Sequence, residues 1–222
     1  MGKLIVLEGT DGCGKSTQVR LLTERLSKEG KDFRQLRFPR YDQESSALIR
    51  LYLGGAFGQD PNAVNAYAAS TFYAVDRYAS YLQDWGSYYR SGGVLIADRY
   101  TTSNAIHQGG KLPEVEKHDF LRWLEELEYE RMELPRPDRV LWLNMPVEQT
   151  LVLMQHRQCT GGGPADIHEL DEEYLRHCYD TAQDTAHFCG WTTIDCVRNG
   201  VIRPAEEIAS EIYTTVLDCM EE

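Results

Sequence analysis

Residues 8–17 read EGTDGCGKST, and this stretch constrains the fold more than any other. Gly9, Gly14, Lys15 and Ser16 fill the pattern G-x-x-x-x-G-K-[ST]. Glycines there let backbone N–H groups turn inward and cradle phosphate oxygens. A lysine at the seventh place adds a point charge for the β- and γ-phosphates, and the next hydroxyl can ligate Mg²⁺. The flanks supply the context that such a loop needs. KLIVL (3–7) is a short apolar run suited to a buried parallel strand. After Lys15, the residues Val19, Leu22 and Leu26 share one helical face, and Gly30 can end that helix. Strand, glycine loop and helix follow one another, so the loop residues Gly9, Thr10, Asp11, Gly12, Cys13, Gly14, Lys15, Ser16 and Thr17 are candidates for binding the phosphates of a ligand.

The same alternation continues along the chain. Strand-like runs fall at FRQLRF (33–38), VLIAD (94–98), RVLWLNM (139–145) and WTTIDCV (191–197). Helical stretches are expected around 45–53, over 62–90 after Asp60-Pro61, over 113–133, from Val147 to Arg157, from 167 to near Gly190, and from Pro204 onward. The stretch 113–133 carries an apolar stripe of Phe120, Leu121, Leu124 and Leu127, and the last helix one of Ile208, Ile212, Val216 and Met220. Alternating strand and helix predicts a three-layer α/β fold, a five-stranded parallel sheet with helices on both faces. No repeat or linker divides the 222 residues, so a single domain over 1–222 is expected. The glycine-rich CTGGGPAD (159–166) is the one segment that reads as mobile, and it reads equally as an ordinary connection between helices.

Composition narrows the partners. A formal net charge of −12 disfavours nucleic acid and membrane surfaces, both polyanions. It leaves room for a nucleotide, which needs only a local cluster of cations in a cleft. No apolar run is long enough to span a bilayer, and the N-terminal residues enter a strand at once rather than a signal sequence. The six cysteines contain no C-x-x-C, and a disulfide at Cys13 would obstruct the loop, so free thiols in the reducing cytoplasm are expected. His156, Cys159, His168, His177 and Cys178 fit no zinc spacing and read as scattered surface side chains.

Further candidates sit where strands end. Ligands of such sheets bind beyond the carboxyl ends of the strands. Asp98 closes VLIAD and stands where an acid can orient Mg²⁺, with Arg99 next to it in reach of phosphate. FPRY (38–41) leaves the second strand with Arg40 and Tyr41 as donors to an anion. Tyr73 and Arg77 in FYAVDRY (72–78) are four apart on one helical face, which suits either a base-stacking pair or a core tyrosine beside a solvated arginine.

Taken together, EGTDGCGKST, RFPRY, FYAVDRY, DRYTTSNAIHQG, LPRPDRVLWLNMP and ADIHE resemble the thymidylate kinase family in order and approximate spacing, nearly end to end. The resemblance implies a P-loop NTPase fold with a short lid, here about 157–169, and transfer of a phosphoryl group from ATP to dTMP with Mg²⁺. It implies that Lys15 and the loop amides hold the ATP phosphates and that Asp11 organises the acceptor side. It places the acceptor phosphate at Arg40, Tyr41 and Arg99, beside Phe38. It puts Tyr73 on the thymine face, Arg77 at O4, and Asn104 at the base edge near His107 and Gln108. Arg157 would open the lid, and Glu169 would lie near metal and sugar, completing a metal set with Ser16 and Asp98. Lys15, Arg99, Arg157 and Asp11 are then the catalytic candidates. The chain departs from the family where Ile167 stands for the usual lid arginine and His107 for the tyrosine that packs on deoxyribose. A homodimer is implied too. The Ala- and aromatic-rich helix at 62–90 suits its interface and suits a buried core equally. Rival readings are a kinase of another pyrimidine monophosphate, a nucleotide switch, for which no N-K-x-D guanine motif appears, and a structural protein with a vestigial loop, against which the intact Lys15, Ser16 and Asp98 speak.

Overall fold

Five strands form one parallel sheet in the computed structural model, which describes residues 1–159 and 172–222. Across the sheet they run β2 (Arg34–Arg37), β3 (Val94–Asp98), β1 (Lys3–Glu8), β4 (Arg139–Asn144) and β5 (Thr192–Asp195). The central strand β1 is flanked on both sides, and Leu4 to Leu7 are all fully buried. That is why its sequence is a continuous apolar run rather than an alternating one. Burial of each such side chain is worth about 1.5–3 kcal/mol.

Side chains of a strand point alternately to the two faces. Ile5 and Leu7 pack with Ile96, Leu141 and Ile194 against α1 (Lys15–Lys28) and α9 (Ala205–Glu221). Leu4 and Val6 pack with Leu95, Ala97 and Val140 into a second core with Trp85, Tyr89 and Tyr100. On that second side lie α3 (Ala66–Ser80), α4 (Gly86–Arg90), α5 (Thr101–His107), α6 (Glu114–Glu125) and α8 (Glu172–Phe188). The shorter α2 (Ala47–Leu53) packs on α3, and α7 (Val147–Cys159) meets α8 through Val147, Met154 and Leu175.

Several elements differ from the sequence expectation. The stretch 62–90 is not one helix. Asp60 caps only a single tight turn, Pro61–Ala63, because Val64 is extended. The helix proper starts after Asn65, whose Oδ1 accepts from the Ala68 N–H at 2.9 Å. A wide π-turn, Tyr81–Trp85, then separates α3 from α4. The stretch 113–133 likewise passes from α6 into a π-turn at Glu126–Arg131, and the buried residue there is Glu128, with Leu127 only half-buried. The last strand stops at Asp195. Val197–Arg198 (β6) instead pairs antiparallel with Val201–Ile202 (β7). Asn199 and Gly200, with φ 53° and 77°, make the turn that suits such a hairpin. In α9 the apolar stripe closes on buried Cys219, with Met220 half-buried. Cys178, expected at the surface, is buried against Gly110. The lid segment lies outside the described residues, apart from the end of α7.

Candidate active site

The glycine loop connects β1 to α1 as its sequence requires. Gly12 and Gly14 have φ 79° and 87°, a left-handed conformation that suits glycine. A Cβ at Gly12 would also run into Met154 and Thr150. A helix start leaves its first amides short of intrahelical partners, so the N-terminus of α1 beyond the loop is a ready anion site reinforced by the helix dipole. Thr10 to Thr17 line a groove of about 1210 Å³ together with Asp98, Arg99 and Arg37. At its floor Lys15 Nζ donates to Asp98 Oδ1 at 2.6 Å, and both side chains are more than nine-tenths buried. Burial holds the Cys13 thiol above its ordinary pKa, so it stays protonated behind the loop.

Asp98 and Ser16 face this groove as hard oxygen donors. Among the described residues no cluster of three or more His, Cys, Asp or Glu could hold a metal alone. That donor set suits Mg²⁺, which keeps several waters and binds through one or two protein oxygens plus substrate phosphates. Glu169, the third expected metal residue, lies outside the described residues. Arg157 lies on α7, with its side chain outside them as well.

A second cavity of about 500 Å³ adjoins the groove. Asp11, Phe38, Tyr41 and Arg99 line both. Tyr73, Arg77, Asn104, His107 and Gln108 line the second alone. Segments distant in sequence thus contribute to one pocket. Arg99 sits at the junction. Its Nη2 donates to Asp11 Oδ1 at 2.5 Å, and its Nη1 lies 3.2 Å from Ser103 Oγ and 2.8 Å from His107 Nε2. Burial works most strongly against its charge, yet the carboxylates of Asp11, Glu8 and Asp98 together outweigh it and its pKa rises. Asn104 Nδ2 donates to Ser70 O at 3.3 Å, which leaves its carbonyl oxygen for the cavity. Arg77, far from solvated, is 1% exposed and clasped by Glu128.

Arg40 does not join them. Its backbone N–H and its guanidinium bond to Asp76, with Ser45 at 3.0 Å, so it braces the start of α2 against α3. The arginine that joins Arg99 at the groove is instead Arg37, mostly exposed, with Nε 3.9 Å from Asp98 Oδ2. Glu8 is another residue that the sequence did not single out. Fully buried, it accepts from Thr102 and Ser103 hydroxyls at 2.6 and 2.9 Å and from the Tyr100 N–H at 3.2 Å, fixing the start of α5 and hence the placement of Asn104 and His107. A carboxylate directly before the glycine loop was its only signal.

A glycine-loop groove opening on a second, partly enclosed pocket at the carboxyl end of a parallel sheet defines a nucleotide-binding α/β protein of the P-loop kinase class. The sequence model described as "Thymidylate kinase" matches residues 7–202. A thymidylate kinase of Mycobacterium tuberculosis is 35% identical over 172 residues, 77% of this chain and 79% of the relative. The human thymidylate kinase is 28% identical over 199 residues, 89% of this chain and 84% of its own. A probable thymidylate kinase of Thermococcus onnurineus is 32% identical over 149 residues, 66% of this chain and 68% of the relative. The chain belongs to the thymidylate kinase family.

Proposed function

We propose that the two cavities hold the two substrates of one transfer, ATP phosphates in the groove and dTMP in the pocket. The protein is an ATP-dependent thymidylate kinase, forming dTDP and ADP. One observation supports the site assignment most: Asp11 and Arg99 line both cavities, so the acceptor phosphate at Arg99 and Tyr41 meets the transferred phosphate at Lys15. No general base is required. A phosphate monoester has a second pKa of about 6 and is mostly dianionic at neutral pH. Its oxygen attacks directly, and the protein's part is to position the reactants and neutralise charge. Lys15, Arg99 and, from the lid, Arg157 supply the cations. Mg²⁺, held through Ser16 and Asp98 with Glu169 nearby, neutralises charge on the β- and γ-phosphates when bound.

In the pocket Tyr73 stacks on the thymine, Arg77 donates to O4, and the Asn104 carbonyl accepts from N3–H. Cytosine presents a donor at C4 and no hydrogen at N3, so both contacts fail. Each unmet buried group costs about 1–3 kcal/mol. Phe38 closes the pocket against Tyr100, their ring centres 6.1 Å apart, and His107 and Gln108 close the sugar side.

A homodimer is part of the same reading. Leu48 and Leu51 on α2, with Val75 and Tyr78 on α3 and Leu82 just beyond it, form an exposed apolar face that a second copy could cover. Cytoplasmic placement accords with the five described free cysteines and with the lack, among the described residues, of any helix long and apolar enough to cross a membrane. The experiment is ADP release with ATP and Mg²⁺ against dTMP, dUMP, dCMP and dGMP. Preference for dTMP over dCMP by about 100-fold or more is expected from the two mismatches. Preference for dCMP would overturn the pocket assignment.

A further inference from the structure

Arg77 has five N–H groups on a planar fork. Nε donates to Glu128 Oε2 at 2.6 Å and Nη2 to Glu128 Oε1 at 2.5 Å. Nη1 makes a longer contact with the Tyr100 carbonyl at 3.4 Å. Two N–H groups remain, on Nη1 and Nη2, and Arg77 lines the pocket. Both partners of the pair are buried, with side chains 2% and 0% exposed. Glu128 is itself held: Thr101 Oγ1 donates to its Oε2 at 2.8 Å. Glu128 lies on the π-turn Glu126–Arg131 at the end of α6, and Thr101 opens α5 directly after the Asp98-Arg99-Tyr100 segment.

We propose that Glu128 is a positioning residue for base selection, which turns Arg77 from a bare buried cation into a charge-compensated, directional donor facing the pocket. This rests on the reading that Arg77 meets thymine O4. A bare buried guanidinium attracts any anion and rotates toward it. Bidentate pairing with a carboxylate fixes the plane of the fork and compensates its charge. What remains for the ligand is N–H geometry, which favours a carbonyl oxygen and rejects an amino group. The anionic end of the substrate is then left to Arg99, whose own carboxylate partner, Asp11, lies at the phosphate groove. Burial alone lowers the pKa of Arg77, and Glu128 outweighs it, so the guanidinium stays charged and keeps all its donors. Thr101 links the device to the segment that carries Arg99, so base reading and phosphate binding share a frame.

The test is a double-mutant cycle on specificity. kcat and KM are measured for dTMP and dCMP, with the KM for ATP as control, in wild type, Arg77→Ala, Glu128→Gln and the double variant. Glu128→Gln keeps the shape but sets an amide N–H against one arginine donor. It should raise the KM for dTMP about tenfold and lower the dTMP-to-dCMP ratio of kcat/KM toward that of Arg77→Ala. kcat at saturating dTMP and the KM for ATP should stay within about threefold of wild type, a split that general loosening would not give. In the Arg77→Ala background Glu128→Gln should add no further loss of ratio, since it acts through Arg77. If Arg77→Ala collapses the ratio and folded Glu128→Gln retains it, the proposal is overturned while the pocket assignment stands. If Arg77→Ala leaves the ratio unchanged, the assignment of Arg77 to the base fails first. Should Glu128→Gln not fold, Thr101→Val decides, since it removes only the hydroxyl on Oε2. A loss of about two- to threefold in the ratio is expected there, and an unchanged ratio overturns the proposal.

Discussion

Arg99 has φ 70°, a left-handed backbone that costs a residue with a side chain about 1–2 kcal/mol. The conformation persists because the surroundings determine it. Its N–H reaches Leu7 O at 3.3 Å, and its side chain is held by Asp11, Ser103 and His107. A guanidinium only donates, so His107 Nε2 stands as the acceptor at 2.8 Å, with Nδ1 3.8 Å from Asp11 Oδ2. An imidazole is smaller than a phenol. With His107 on the sugar side as proposed, it leaves more room there than the tyrosine implied by the family resemblance would. His107→Tyr is therefore expected to sharpen the preference for dTMP over its ribo-analogue, by about three- to tenfold in kcat/KM. A ratio that does not move would assign exclusion of the 2′-hydroxyl to another residue.

Two glycines of the phosphate loop differ in what they tolerate. Gly12 and Gly14 both have positive φ, but a Cβ at Gly14 meets open space while one at Gly12 meets Met154 and Thr150. Gly12→Ala should therefore lose about 1–3 kcal/mol more in urea unfolding than Gly14→Ala, which bears the backbone penalty alone. Equal losses would mean that α7 yields at no cost. Such a loop is legible in sequence because its geometry arises from ten contiguous residues. The three central strands were legible for a related reason: strands buried on both faces must be apolar throughout. Other parts were not. ELEYER (126–131) reads as a solvated charged turn, and only tertiary packing reveals that Glu128 points inward to Arg77. Arg37 and Arg40 are equivalent on paper, and the partners that separate them, Asp98 and Asp76, come from distant segments. TTSNAIH (101–107) has no hydrophobic period, and its helix is held at the start by Glu8 from another strand. The Asn199-Gly200 turn was readable and marked a hairpin that the run WTTIDCV obscured.

For the molecule as a whole, buried thiols set a limit on the alkaline side. Burial pushes Cys178 and Cys196 up to about 12 from an ordinary 9. From pH 9 upward the unfolded chain releases these protons and the folded chain keeps them, so stability falls with rising pH; below pH 9 both states keep them. Each thiol contributes a slope of about 1.4 kcal/mol per pH unit within that window. Cys196→Ala should flatten the decline, so the stability gap between wild type and variant, measured by urea unfolding, narrows from pH 9 to 10.5. A constant gap would remove Cys196 from the titration.

Arg37, Asp98 and Leu7 stand abreast in the register of β2, β3 and β1. Neighbouring strands are spaced about 4.8 Å apart by their hydrogen bonds. The lateral spacing of the strands that carry Arg37, Asp98 and the glycine loop is thus set by backbone hydrogen bonds rather than by side-chain packing. A gauge of this kind holds its tolerance while the material around it softens. Core substitutions that weaken the protein should lower its melting point long before they misalign donor and acceptor, and a slip of one residue in strand register would misalign them at once.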